Sequence, residues 1–485
     1  MSKIKNFLFN NGSARQRAVK NTLWLSVGQI GSRVFRALLV IFAARILGTE
    51  GYGVFAYILS LAGFFTIFAD VGISQILTRE VSKKPEEENK YFSSSLGIKI
   101  FLVGLVSIII LFFVPHFSKL EAAKHLIPFA ALLVVFDSFR DFINAYFRGK
   151  EKMELEALTT TVSNIAITVF GFIALLKWQV PDSVTSAYVW AAGAGTVLGI
   201  YLVKDKFLSF FSSFDKEIIK PLLKASWPIA LSSALGAFML NIDIIMIGFF
   251  HGASDVGLYA SSEKIVGLLY MIPALLAASL FPIISRFVEK KDNKKSAKVL
   301  EKGLSATFMI AIPLALGGFL LAGEIISLLY GAEYMIDDSI TTLRLLLLTP
   351  LIIFPGSLLK NYILAYDKQI KMVPIIGLGA LLNVVMNLLL IPSLGIIGSA
   401  VATIIATSVL YSGIWVLANK INPFYMFNRL FKIIASSFVM VFFVLVFSAF
   451  GLNVVLNIVI SSLIYFGVLY AWQEETLLEI KKSIL

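Results

Sequence analysis

The sequence predicts an all-α polytopic membrane protein of about fourteen transmembrane helices, built as two six-helix lobes plus two C-terminal helices. Three observations carry this expectation. The 485 residues are 58% hydrophobic and only 15% charged, too apolar for a water-soluble chain. The apolar residues lie in runs long enough to cross a bilayer, separated by short basic loops. Two sets of motifs recur about 200 residues apart.

The apolar runs place spans at roughly 21–47, 51–79, 91–115, 122–147, 153–177, 184–204, 221–250, 254–286, 298–322, 340–366, 370–392, 395–419, 428–450 and 452–472. Several exceed the ~20 residues a bilayer needs, so tilt or extension beyond the hydrocarbon is expected. Prolines within them (Pro228, Pro273, Pro282, Pro313, Pro355, Pro374) mark bends that membrane helices tolerate. The basic N-terminus, residues 1–20, is not followed by a signal-peptide core. The next apolar run is too long and carries arginines, so it should stay as an uncleaved anchor.

Charge tests this count. With the N-terminus inside, thirty Lys and Arg residues fall in cytoplasmic segments and four, Arg45, Lys119, Lys124 and Lys177, in outer loops. The segment 324–338 holds Glu324, Glu333, Asp337 and Asp338 without a Lys or Arg, as an outer segment should. The bias predicts a multi-pass protein of the cell (cytoplasmic) membrane with both termini cytoplasmic. The formal net charge of +12 therefore reads as a topology signal and a contact to anionic lipid heads, with no nucleic-acid partner. There are no cysteines, which excludes disulfides and thiolate chemistry.

Gly48-Thr-Glu-Gly-Tyr-Gly-Val-Phe-Ala56 recurs as Gly252-Ala-Ser-Asp-Val-Gly-Leu-Tyr-Ala260, an offset of 204. Ala145-Tyr146 recurs as Ala365-Tyr366, Lys152-Met153 as Lys371-Met372, and Asn164 as Asn383, at offsets of 219 to 220. Spans one to six and seven to twelve thus read as two copies of one unit. An even number of spans makes the copies parallel, related about an axis along the membrane normal. The expected division is a cytoplasmic N-terminus (1–20), an N-lobe (21–204), a linker (205–220), a C-lobe (221–419), and the last two spans with a cytoplasmic tail (420–485).

The first span carries Arg33 and Arg36 near its middle, three residues apart and so on one helix face. A charge at bilayer depth costs between about 3 and more than 10 kcal/mol depending on the method, so such residues face a polar cavity or a partner. The other intramembrane cations considered are Lys99, Arg140, Lys264 and Lys360, with Lys302 and Arg344 near span ends. The intramembrane acids are Asp70, Asp137, Asp141, Asp243 and Glu263. Asp137, Arg140 and Asp141 share a helix face and can pair internally. Either the cations bind an anionic substrate, or they neutralise these acids and hold the bundle together. Asp243 replaces an apolar residue, Leu39, at its repeat-related position, which makes it, with Glu263, a candidate for a coupling Na+ or H+; a salt bridge to Lys264 or to a first-lobe arginine is the structural alternative.

The N-terminal basic segment, Ala44-Arg-Ile-Leu-Gly-Thr-Glu-Gly-Tyr-Gly53, and Asp70-Val-Gly-Ile in the second span, taken with the duplicated layout, resemble the polysaccharide transporters of the multidrug/oligosaccharidyl-lipid/polysaccharide exporter superfamily. The similarity is to O-antigen-type flippases, with the lipid II flippase as a cousin, and it runs along essentially the whole chain. The resemblance implies translocation of a polyprenyl-diphosphate-linked oligosaccharide to the outer leaflet by two lobes alternating around a central cavity. It implies that Arg33 and Arg36 line that cavity, and that the last two spans form a groove for the lipid tail. Its partners would be that lipid, membrane lipids and glycan assembly enzymes, and no cofactor is implied. Arginine suits a diphosphate because its planar fork matches the oxygens. Tyr57, Asn144, Tyr146, Asn164, Asn241 and Tyr259 are expected to offer polar and aromatic walls to the sugars.

Two rival readings differ in class. A cation-coupled drug or small-molecule antiporter of the same superfamily would rely on buried acids such as Asp70 or Asp243. A membrane glycan polymerase or ligase would usually carry a large outer catalytic loop, whereas the longest outer segment is about 323–340. The three histidines (His116, His125 and His251) are scattered, and no phosphate-binding glycine loop, zinc spacing or serine elbow is present, so no enzyme is expected.

Overall fold

The computed structural model describes residues 14–426 and 430–474, with the side chains of 14–35, 228, 229, 232, 233, 237 and 238 outside the described residues. Everything long in it is helical, as a bilayer requires of a chain that must satisfy its own backbone hydrogen bonds. The chain divides into two compact units, Met1–Gly257 and Leu258–Leu485.

The first unit contains α1 (Ala14–Phe68), α2 (Ile73–Lys83), α3 (Glu88–Ile108), α4 (Ile127–Gly149), α5 (Met153–Lys177), α6 (Pro181–Leu202) and α7 (Ile219–Phe250), and α8 (Ala253–Leu269) begins in it. The second contains α9 (Met271–Glu289), α10 (Asn293–Leu320), α11 (Ala322–Tyr330), α12 (Asp337–Leu346), α13 (Pro350–Ala365), α14 (Val373–Ile421), α15 (Leu430–Ala449) and α16 (Val454–Ala471).

Among the described residues, ten helical runs are long and apolar enough to span a membrane. Two of them hold two spans each, because α1 turns at Gly48 (φ 69°, ψ −177°) and α14 at Gly395 (φ 57°, ψ −136°), conformations that cost a glycine nothing. Beyond the second turn the chain folds back on itself: a Cβ at Gly398 would lie 2.4 Å from the Leu390 carbonyl oxygen. Helix α4 has span length but carries Asp137, Arg140 and Asp141, and α7 is described only in part; with these two the spans number fourteen.

Within unit 1, α1, α4, α5 and α6 pack closely, and small residues let the backbones approach. A Cβ at Gly195 of α6 would lie 2.1 Å from the Ser163 hydroxyl of α5. The repeated glycine motif has a similar use. A Cβ at Gly53 would lie 1.7 Å from the Ala253 carbonyl oxygen, and one at Gly257 would lie 2.0 Å from that of Thr49. The two motifs therefore touch backbone to backbone, each glycine against the residue that opens the other segment.

Each unit has a polar hub at the end expected to be cytoplasmic. In unit 1, Glu88 pairs with Lys150 and Lys206, both at 2.6 Å, beside an aromatic cluster of Phe92, Phe142, Tyr146 and Phe207. In unit 2, the Asn422 amide nitrogen lies 2.7 Å from the Tyr362 hydroxyl and 2.9 Å from that of Tyr366, which itself meets Ser296 at 2.7 Å. Tyr146 and Tyr366 are the repeat-related tyrosines.

Candidate functional site

Arg36 stands twelve residues, about 18 Å of helix, before the Gly48 turn, well inside the membrane. Arg33 lies one turn earlier on the same helix, and its side chain lies outside the described residues. The Arg36 Nε donates to Oδ1 of Asn164 on α5 at 2.7 Å. Asn164 is buried and donates its own Nδ2 to the Thr160 carbonyl at 2.6 Å, which turns its oxygen toward the arginine. The partner is neutral. Among the described residues no carboxylate lies within ion-pair distance of Arg36, so its full charge and its two terminal nitrogens remain available to an anion.

The other unit 1 cations are neutralised. Lys99 on α3 is wholly buried and its Nζ lies 2.7 Å from Asp70 Oδ1, which also accepts from the Ser74 hydroxyl. Asp70 sits where the second span breaks, between Phe68 and Ile73, with Val71 and Gly72 at positive φ. Arg140 on α4 meets Asp137 at 2.6 Å and Asp141 at 3.7 Å through Nη2, while its buried Nη1 has no partner among the described residues. Lys99 and Arg140 together meet Asp70, Asp137 and Asp141 in two clusters, two cations against three acids. The sharing of one face by Asp137, Arg140 and Asp141 is thus observed as contact.

The remaining candidates are dispersed. Asp243 on α7 is buried and engaged. In unit 2, Glu263 and Lys264 are half-buried on α8, and Lys264 makes no ion pair among the described residues. Lys360 on α13 donates to the Tyr411 hydroxyl of α14 at 3.0 Å and lies 4.7 Å from the centre of its ring, at a cavity of about 310 Å³. Lys302 is engaged, and Arg344 reaches the Phe319 carbonyl at 3.3 Å.

Several side chains expected to line a sugar path are used inside the units instead. Asn144 and Tyr259 are 4% and 1% exposed, and Asn144 accepts from Thr159 at 2.8 Å. Tyr146 belongs to the aromatic cluster, and Tyr57 meets the Ser118 hydroxyl at 3.2 Å. Asn241, half-buried, lies against Gly63. The histidines make separate local contacts, His116 to the Phe112 carbonyl, His125 to Asp182 and His251 to Asp255.

Two larger apolar cavities accompany these polar features. One of about 610 Å³ lies in unit 1 between α1, the end of the third span and α7. The other, about 390 Å³, lies in unit 2 between α10 and the last two helices, α15 and α16. Tyr465 lines this second cavity with its hydroxyl spent on the Met309 carbonyl at 2.8 Å. The cavity's lining is thus mostly hydrocarbon, with Ser461 and Ser462 beside the tyrosine.

Comparison with known proteins places these features. Residues 18–288 match the model of the family described as polysaccharide biosynthesis protein, and residues 228–389 match that described as MatE. The probable low-salt glycan biosynthesis flippase Agl15 of Haloferax volcanii is 22% identical over 398 residues, 80% of this chain and 81% of its own. The probable flippase AglR of the same organism is 26% identical over 76% of this chain and 77% of its own. A putative O-antigen transporter of Shigella flexneri is 23% identical over 66% of this chain and 78% of its own. Among solved structures, the lipid II flippase MurJ in an inward closed conformation superposes with a TM-score of 0.76 at 20% identity, covering 93% of this chain and 98% of its own. An inward-facing multidrug resistance MATE family transporter gives 0.65 at 18% identity, covering 82% and 98%. At these identities the structures establish the fold.

Proposed function

Because the chain belongs to the polysaccharide biosynthesis protein family, whose model spans more than half of it, we propose that this membrane flippase moves a polyprenyl-diphosphate-linked oligosaccharide from the cytoplasmic to the outer leaflet, without catalysing a covalent step. The two lobes alternate in access around a cationic cavity. The observation that carries this reading is Arg36. It is a half-buried intramembrane cation with a neutral partner, in a unit whose buried cations, Lys99 and Arg140, are matched by acids. A charge left uncompensated at that depth is costly unless a ligand anion visits it. Its terminal nitrogens suit phosphate oxygens, and Asn164 holds its Nε so that the fork is fixed in direction. Arg33, one turn away, would add a second cation to the same seat. The relatives named as flippases and O-antigen transporters support the substrate class.

The apolar cavity between α10, α15 and α16 suits the polyprenyl tail, since its lining offers no unspent polar group from Tyr465. Lys360 and Lys264 would meet anionic groups in unit 2. Asp243 and Glu263 would bind a coupling Na+ or H+. Both termini are cytoplasmic in the cell membrane, and glycan assembly enzymes would be neighbours. The antiporter reading draws on the MatE match and the multidrug transporter fold and would use Asp70 or Asp243, but Asp70 already faces Lys99.

The test is transport of a polyprenyl-diphosphate oligosaccharide by purified protein in liposomes. Arg36→Ala should lose most translocation while inserting and folding normally, and Arg36→Lys should fall between. Full transport by Arg36→Ala would remove the anion seat. Transport of cationic drugs in place of the lipid would favour the antiporter. Transport by Asp243→Asn with unchanged dependence on sodium and proton gradients would remove the coupling role.

A further inference from the structure

The larger cavity of unit 1 plays no part in the step just described. Its walls include Leu61 and Phe64 of α1, Phe113 and Phe117 at the end of the third span, and Ile245 and Phe249 of α7. Its polar lining is confined to Tyr57 and Ser118, which hydrogen-bond to each other at 3.2 Å. Phe113 and Phe117 are 57% and 70% exposed, so the groove opens to the membrane. The third span winds as a π-helix over Ile109–Phe113, a local widening often found at functional sites.

Length and charge point to an occupant. The lining runs from Ile242 to Phe249 along α7 and from Ile109 to Ser118 along the third span. That is about 10–13 Å of helix, close to the ~15 Å of one leaflet in a ~30 Å hydrocarbon core. Lys119 follows Ser118 directly, and its Nζ lies 4.3 Å from the centre of the Phe249 ring. A cation thus stands at the end of the groove that holds its two hydroxyls. Lys119 is exposed and makes no ion pair among the described residues, whereas the nearby Lys124 is matched by Glu121 at 2.6 Å.

We propose that this groove binds an anionic phospholipid of the outer leaflet, with one acyl chain in the cavity and the phosphate on Lys119. A single lysine matches the single charge of a phosphodiester, while the more highly charged diphosphate suits the arginine seat on α1. Assignment to the outer leaflet rests on the orientation given under the proposed function; occupancy of the groove does not.

The test needs no transport. Full-length protein purified in mild detergent is offered phosphatidylglycerol or phosphatidylcholine, and retained lipid is counted by native mass spectrometry. The wild type should retain phosphatidylglycerol about fivefold better, the effect of one lysine at a charged lipid surface. Lys119→Ala should erase that preference, Lys119→Arg should keep it, and Lys177→Ala, at another outer loop, should leave it intact. Ile245→Trp, which fills the cavity, should lower retention of both lipids. Phosphatidylglycerol with a photoactivatable acyl chain should label the peptides containing Phe113 and Ile245 in the wild type, a readout independent of how any variant folds. Unchanged preference in Lys119→Ala, or labelling confined to other helices, would overturn the proposal. A protein that binds lipid here yet flips no oligosaccharide would leave this site standing and remove the transport reading alone.

Discussion

The two units share the Ala-Tyr and Lys-Met motifs but spend their interiors differently. Unit 1 buries Lys99 and Arg140 against Asp70, Asp137 and Asp141 and keeps Arg36 on a neutral amide. Unit 2 holds Lys360 against Tyr411 and surrounds a mostly apolar cavity with α10, α15 and α16. The hubs differ in the same sense. Two lysines share Glu88 in unit 1, while an asparagine shares tyrosine hydroxyls in unit 2. Unit 1 thus keeps one intramembrane cation off its acids, while each unit holds an apolar cavity.

If the buried charges Lys99 and Arg140 are structural, the largest stability loss should come from the Lys99–Asp70 pair. Lys99→Met leaves the Asp70 carboxylate without its ammonium and should destabilise unit 1 by about 3–5 kcal/mol. The double variant Lys99→Met/Asp70→Asn should recover much of that loss. Thermal unfolding of detergent-solubilised protein reads both. A mild single variant would mean that the pair is not a structural device.

A middle effect is expected at the unit 2 hub. Asn422→Ala removes an amide shared by the Tyr362 and Tyr366 hydroxyls and the Ser296 hydroxyl. It should cost about 1–3 kcal/mol, the range for stranding buried polar groups. Tyr465→Phe strands a single carbonyl and should cost about 1 kcal/mol, while leaving the adjoining cavity apolar. The smallest effect is expected at Lys360→Met. It loses one hydrogen bond and one cation–π contact, together about 1 kcal/mol. A larger loss there than at Lys99 would reverse the comparison between the units.

Much of this architecture can be read from the residues. The spans follow from apolar length, and the turns at Gly48 and Gly395 separate spans that hydropathy alone delimits. The pairing of Asp137 and Arg140 follows from their three-residue spacing. By contrast, Lys99 and Asp70 are 29 residues apart on different helices, and no local rule joins them. The glycine motifs announce themselves as a repeat, but their mutual close approach depends on tertiary packing. Asn144, Tyr146 and Tyr259 look like wall residues because they are polar and aromatic within spans. They are buried instead, since a helix packed on several neighbours has inward faces that composition does not distinguish from a cavity face. The contact division at Gly257, which counts α7 with the first unit, is equally a product of packing. Arg36 is legible because a charge in hydrocarbon always demands an explanation. Its neutral partner, which separates it from the other cations, is visible only in three dimensions.

Of the described intramembrane cations of unit 1, the half-buried Arg36 alone has no carboxylate partner among the described residues, and it is the one we propose is kept for a ligand anion. The direct measurement is equilibrium binding of a polyprenyl diphosphate to purified protein, comparing Arg36→Ala with Lys99→Met/Asp70→Asn. Loss of a charge-assisted contact predicts binding weakened about 10- to 100-fold in Arg36→Ala, with Arg36→Lys intermediate and the Lys99/Asp70 double variant near the wild type. Wild-type affinity in Arg36→Ala, or an equal loss in the double variant, would contradict the account.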